Sequence, residues 1–76
     1  MSNLKDVKPL FEWAVLNGDS KIIDRILVKT LPQLVKSGCE LTTSSIENSS
    51  KVDVPSELYE TIKLVTEELV GSSFNK

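Results

Sequence analysis

Leu58, Ile62, Val65 and Leu69 fall at intervals of four, three and four residues, which lays them along one stripe of an α-helix. Pro55 opens this segment, where its fixed φ and missing N–H suit a first helical position, and Gly71 closes it. Glu57 sits where the helix dipole favours an anion. A helix over 55–70 with one continuous apolar seam is therefore the strongest local expectation. The remaining chain has little with which to cover that seam. Its 76 residues make one small domain, 1–76, and Phe11, Trp13, Tyr59 and Phe74 are the only aromatics, so the core must be mainly aliphatic.

Val7, Leu10, Phe11 and Ala14 form a second stripe and predict a helix over 7–16. Asp6 or Ser2 can cap it, Pro9 is tolerated in its first turn, and Asn17-Gly18 ends it in the left-handed conformation common after helices. Asp19 or Ser20 can cap the next helix, over 20–29, whose buried stripe is Ile22, Ile23, Ile26 and Leu27. The same phase continues through Leu31, Leu34 and Val35, but Pro32 interrupts it. Thr30-Leu31-Pro32-Gln33 reads as a capping box with proline in the first turn, which predicts a break or sharp kink near Thr30 and a short helix over 31–37. A single kinked helix over 20–37 is the alternative.

Residues 39–54 form a Ser/Thr-rich connection whose side chains compete with the backbone for hydrogen bonds. It reads as a mobile linker, with a turn of helix near Ile46 or a short hairpin pairing 40–43 with 51–54. Residues 72–76 are expected to be a frayed tail. The fold class that follows is an all-α small bundle of three to four short helices, with α+β as the alternative if the hairpin at 40–54 forms. The expected core is Val7, Leu10, Phe11, Ala14, Ile22, Ile23, Ile26, Leu27, Leu31, Leu34, Val35, Leu58, Ile62, Val65 and Leu69.

One stretch resembles a known family. Trp13-Ala14-Val15-Leu16-Asn17-Gly18-Asp19, followed by Ile22-Ile23 and Ile26-Leu27, is similar to the inner helix, turn and outer helix of an ankyrin repeat. The likeness covers about 20 residues, and such repeats need about three neighbours to bury their faces. Lys8-Pro9-Leu10 stands one residue earlier than the family's Thr-Pro-Leu, and no second repeat follows. The resemblance therefore implies a helical hairpin and no repeat array.

Several chemistries lack their residues. Without histidine there is no Ser-His-Asp or Cys-His arrangement and no usual base for neutral pH. A lone cysteine, Cys39, cannot pair within the chain or build a structural zinc site, and it reads as a packing residue in a reducing compartment. Phosphate-binding glycine motifs and the alternating acidic ligands of a calcium loop are missing too. No catalytic residues, cofactor or metal ligands are therefore expected, and the chain reads as a non-enzyme. Its N-terminus, Met-Ser-Asn-Leu-Lys-Asp, lacks the apolar stretch of a signal peptide, and no apolar run approaches the roughly 20 residues that cross a bilayer. A cytoplasmic protein with no membrane contact is expected.

The formal charge is −2 and is unevenly spread: residues 1–38 carry six basic and four acidic side chains, residues 39–76 three and seven. That balance makes direct nucleic-acid binding unlikely, because phosphate contacts demand a basic surplus. A helix-turn-helix reading rests only on Lys21, Arg25 and Lys29 for phosphates, with Gln33 and Lys36 at the start of a reading helix. Partner contacts are better supplied. Trp13 lies beside the inward stripe of the first helix together with Leu16, and tryptophan is enriched at binding hot spots. On the last helix, Leu64 falls off the seam and Tyr59 lies beside it, while Glu57, Glu60, Glu67 and Glu68 make an acidic face. These eight residues are the candidate partner-binding set. They suggest a small acidic regulatory protein, an adaptor or inhibitor that binds a larger protein, with homodimerisation as a way to cover surplus apolar surface. A structural subunit working as a homo-oligomer and a DNA-binding helix-turn-helix regulator are the alternatives.

Overall fold

A two-stranded antiparallel ribbon ties the beginning of the chain to the segment just before its last helix. In the computed structural model, which describes residues 3–75, the elements run β1 (Leu4–Asp6), α1 (Lys8–Asn17), α2 (Ile22–Ser37), α3 (Thr43–Asn48), β2 (Asp53–Pro55) and α4 (Ser56–Val70). Leu4 pairs with Pro55, Lys5 with Val54 and Asp6 with Asp53. The ladder extends at both ends, through Val7 N–H to Val52 O at 2.8 Å and Ser56 N–H to Asn3 O at 2.9 Å. The Asp6 carboxylate locks the junction, since Oδ1 accepts from the backbone N–H of Lys8 at 2.9 Å and of Val52 at 2.8 Å. One of those donors is a free N–H of the first turn of α1. Ser2, the other candidate cap, lies outside the described residues.

The described residues form a small bundle of four helices with the ribbon as its β element; the two helices expected over 20–29 and 31–37 are one, α2, and α3 is the fourth. Of the two readings of 40–54, the turn of helix near Ile46 forms, as α3, and the hairpin pairing 40–43 with 51–54 does not. Residues 53–55 are extended, but they pair with 4–6, and Thr43 already belongs to a helix. Thr42 and Ser45 explain why: each side chain accepts from the other's backbone N–H at 3.0 Å, a reciprocal cap that starts α3 and leaves 40–43 unable to act as a strand. The alternation of buried Val52 and Val54 about exposed Asp53 then sets the face of β2 that meets the core.

The expected break near Thr30 is absent, and α2 runs unbroken through Pro32. Pro32 lies on the solvent side, where the Val28 carbonyl, deprived of its N–H partner, can be hydrated. Thr30 is fully buried, and its hydroxyl donates back to Ile26 O at 2.8 Å, so it does not cap a new helix. Ile22, Ile23, Ile26, Thr30 and Leu34 thereby form one inward face. Leu31 and Val35, expected in the core, belong to the opposite side and are exposed. Leu27, Val65 and Leu69 are half-buried at the core's edge.

The core proper combines Val7, Leu10, Phe11 and Ala14 with Ile22, Ile23, Ile26, Leu34, Leu58 and Ile62, and adds Ile46, Val52, Val54 and Phe74. Gly18 ends α1 in extended backbone, φ −112° and ψ −169°, and not in the left-handed conformation expected of it. Its value is room: a Cβ there would stand 2.8 Å from Ala14 O and 2.9 Å from Ile22 Cγ1, where α1 turns closely into α2. The tail is also not wholly frayed, because Phe74 is buried and its N–H donates to Glu67 Oε2 at 2.8 Å. Lys76 lies outside the described residues.

Asp6→Ala removes one acceptor from two backbone donors and is expected to lower unfolding free energy by about 1–3 kcal/mol. Urea denaturation measures this, and Asp6→Asn should recover part of it. Thr66 gives the opposite sign. It is fully buried on α4, and its hydroxyl has no hydrogen-bond partner. Thr66→Val should raise stability by about 0.5–1.5 kcal/mol, whereas Thr30→Val, which deletes a satisfied hydroxyl, should not.

Candidate functional site

Helix α4 turns Leu58, Ile62 and Thr66 inward, which leaves Glu57, Glu60, Leu64 and Glu68 together on its outward face. Their spacing of three, four and four residues is that of helical neighbours. Glu60 and Glu68 thus flank Leu64 one turn to either side, with Glu57 a turn beyond Glu60, and Leu64 is 66% exposed. Glu57 and Glu68 belong to no ion pair among the described residues, and Glu60 meets Lys5 Nζ only at 3.8 Å. Pairs this exposed contribute little to stability, so the negative charge of the face is left available to the surroundings.

The other candidate residues lie elsewhere. Glu67 leaves the acidic face: it is half-buried, 3.8 Å from Lys63 Nζ, and holds the Phe74 N–H. Trp13 is half-buried and packs on the Phe74 ring, with centroids 5.3 Å apart and planes tilted by 55°. Trp13 and Glu67 therefore clasp the tail from two helices. Tyr59 is half-buried beneath Lys5, whose Nζ stands 5.1 Å from the ring centroid, so it joins β1 to α4.

Leu16 is 84% exposed at the end of α1 and edges a separate groove between α1 and α3. Phe11, Ile23 and Ile46 floor this groove, Val15 and Glu12 share its rim with Leu16, and its volume is about 410 Å³. Lys8 steadies the far wall by donating to the Ile46 carbonyl at 2.6 Å, near the end of α3. This is the usual place for a cation at a helix C-terminus.

Val28, Leu31 and Val35 were missed as surface residues. They are 72%, 55% and 70% exposed on the outer side of α2. Their spacing of three and four was visible in the sequence, but reading the apolar phase on through Leu31, Leu34 and Val35 placed two of them in the core, whereas the inward row runs through Thr30 and Leu34.

Cys39 is half-buried against the core. Among the described residues, no group of three or more His, Cys, Asp or Glu side chains could hold a metal ion. No helix there is long and apolar enough to cross a membrane. No family model, curated protein or solved structure matches this chain. The likeness of residues 13–27 to an ankyrin repeat thus amounts to the α1–α2 hairpin.

The clasp makes the single tryptophan a reporter of the tail. Phe74→Ala should shift Trp13 emission to the red and lower stability by at least the about 0.5–1.5 kcal/mol of an aromatic pair. Fluorescence-detected denaturation reads both, and unchanged emission would mean that the tail does not cover Trp13 in solution.

Proposed function

We propose that this chain is a small, acidic, non-enzymatic regulatory protein, an adaptor or inhibitor that works in the cytoplasm by docking on a larger protein. The observation that carries the reading is the outward face of α4, where exposed Leu64 interrupts a row of carboxylates, Glu57, Glu60 and Glu68. An apolar side chain flanked by charges has the layout of an interface anchor with a charged rim. The centre loses water and provides affinity, while the rim charges steer approach and select the partner. The partner of matching chemistry is a basic groove with an apolar pocket. Trp13, Tyr59 and Glu67 support this face by bracing its surroundings, and Leu16 belongs to the separate groove on α1.

The alternatives rest on other features. A structural subunit would be a homodimer or larger homo-oligomer that covers the exposed stripe of α2. A DNA-binding regulator would use Lys21, Arg25 and Lys29, but Gln33 and Lys36 lie inside one uninterrupted helix and not at the start of a reading helix.

The deciding experiment is affinity purification of the tagged chain from its host, with the recovered complex sized by light scattering. One stoichiometric protein partner is expected. The combined Glu57→Gln, Glu60→Gln and Glu68→Gln variant should associate about tenfold more slowly at low salt, and Leu64→Lys should weaken binding by about tenfold or more. Glu67 is left intact because it holds the tail. A homo-oligomer with no other protein would overturn the regulator reading in favour of the structural one.

A further inference from the structure

The outer side of α2 is a second surface of opposite character. Val28, Leu31 and Val35 make an exposed stripe turned away from Ile22, Ile26, Thr30 and Leu34. The stripe covers about two helical turns, the length that one ridge of anchors at i, i+3 or i+4, and i+7 can cover. Arg25, Lys29 and Lys36 run along one edge of it, on the helical row that also contains Pro32. Arg25 is paired with Asp19, whereas Lys29 and Lys36 belong to no ion pair among the described residues. A shallow hollow of about 290 Å³, bordered by Asp24, Arg25, Val28 and Lys29, opens at the start of the stripe.

Charge decides which occupant fits. A second copy docked across a two-fold axis would set α2 antiparallel to itself, and like edges then meet. The basic row of each copy would face the basic row of the other, with no acidic row to compensate. A partner helix with an apolar ridge and a carboxylate edge meets both features of the surface. The geometry points to the outer side of α2 as the docking site for an acidic amphipathic helix of a partner protein. Its apolar ridge covers Val28, Leu31 and Val35, and its carboxylates meet Lys29, Lys36 and Arg25. This site is independent of the α4 face and goes beyond the reading proposed for it, because it faces a partner of the opposite charge.

The test uses the full chain, labelled with ¹⁵N, and two synthetic helical peptides. Both carry leucine at i, i+3, i+4 and i+7, one with glutamates along the edge and the other with lysines in their place. The glutamate peptide is expected to shift amide signals across residues 24–36 and to bind at least about tenfold more tightly than the lysine peptide. Val28→Asp and Val35→Asp should abolish that binding, and the Lys29→Glu, Lys36→Glu double variant should reverse the peptide preference. All four substitutions are at exposed positions, so the variants should fold, which their amide spectra verify directly. The Glu57→Gln, Glu60→Gln, Glu68→Gln variant should bind the glutamate peptide unchanged, which separates this site from the α4 face. Equal binding of the two peptides, or shifts centred on the α1–α3 groove, would overturn the assignment. So would a wild-type dimer that Val28→Asp dissociates, or α2-dependent binding to mixed phosphatidylserine and phosphatidylcholine vesicles in place of the peptide.

Discussion

A single carboxylate joins parts of this protein that are 46 residues apart. Asp6 accepts the N–H of Lys8 two residues on and that of Val52 across the molecule. The first bond settles where α1 begins, and the second settles where β2 must lie. With β2 in place, α4 starts directly from Pro55, and the same stretch brings Lys8 to the carbonyls near the end of α3. A chain this small buries a limited apolar core, so its stability is marginal. The ribbon and its carboxylate give the helices a shared reference, and the inward faces of α2 and α4 then close on each other.

Much of this was legible in the sequence because it is local. The α4 seam, the α1 stripe and the stop at Gly71 all depend on residues within a few turns of each other, and Gly71 does adopt positive φ. What was not legible is non-local or depends on a competition. No pattern in Leu4–Asp6 names Asp53–Pro55 as its partner, since three-residue strands carry almost no periodicity. At Thr30 two local rules conflicted, a capping box against an unbroken apolar phase, and burial against α4 settled the matter for the phase. The Val28, Leu31 and Val35 stripe was hidden because the apolar phase was read through Leu31 and Val35, whereas the buried row passes through polar Thr30. The candidate partner residues fared similarly. Those that share α4's outer row, Glu57, Glu60, Leu64 and Glu68, follow from helical spacing. The roles of Trp13 and Glu67 depend on Phe74 folding back, which sequence spacing does not encode.

The uneven charge of the chain becomes geometry once the helices pack. Basic residues of the first half line the edge of α2, and acidic residues of the second half line α4. Both helices spend their inward faces on each other, so their outward faces carry opposite signs on one small body. A net charge of −2 hides this separation. The two proposed docking surfaces therefore share no residues.

The ribbon also has a consequence for how the protein comes into being. During synthesis β1 emerges before the helices that follow it. Its partner strand follows only after α1, α2 and α3. Until then, Asp6 has only its local bond, and Val7 and Leu10 have no Val52, Val54 or Ile62 to cover them. The α1–α2 hairpin can form early from neighbouring contacts, but the remaining apolar faces stay open until α4 is released. The fold therefore closes only once β2 and α4 have been made.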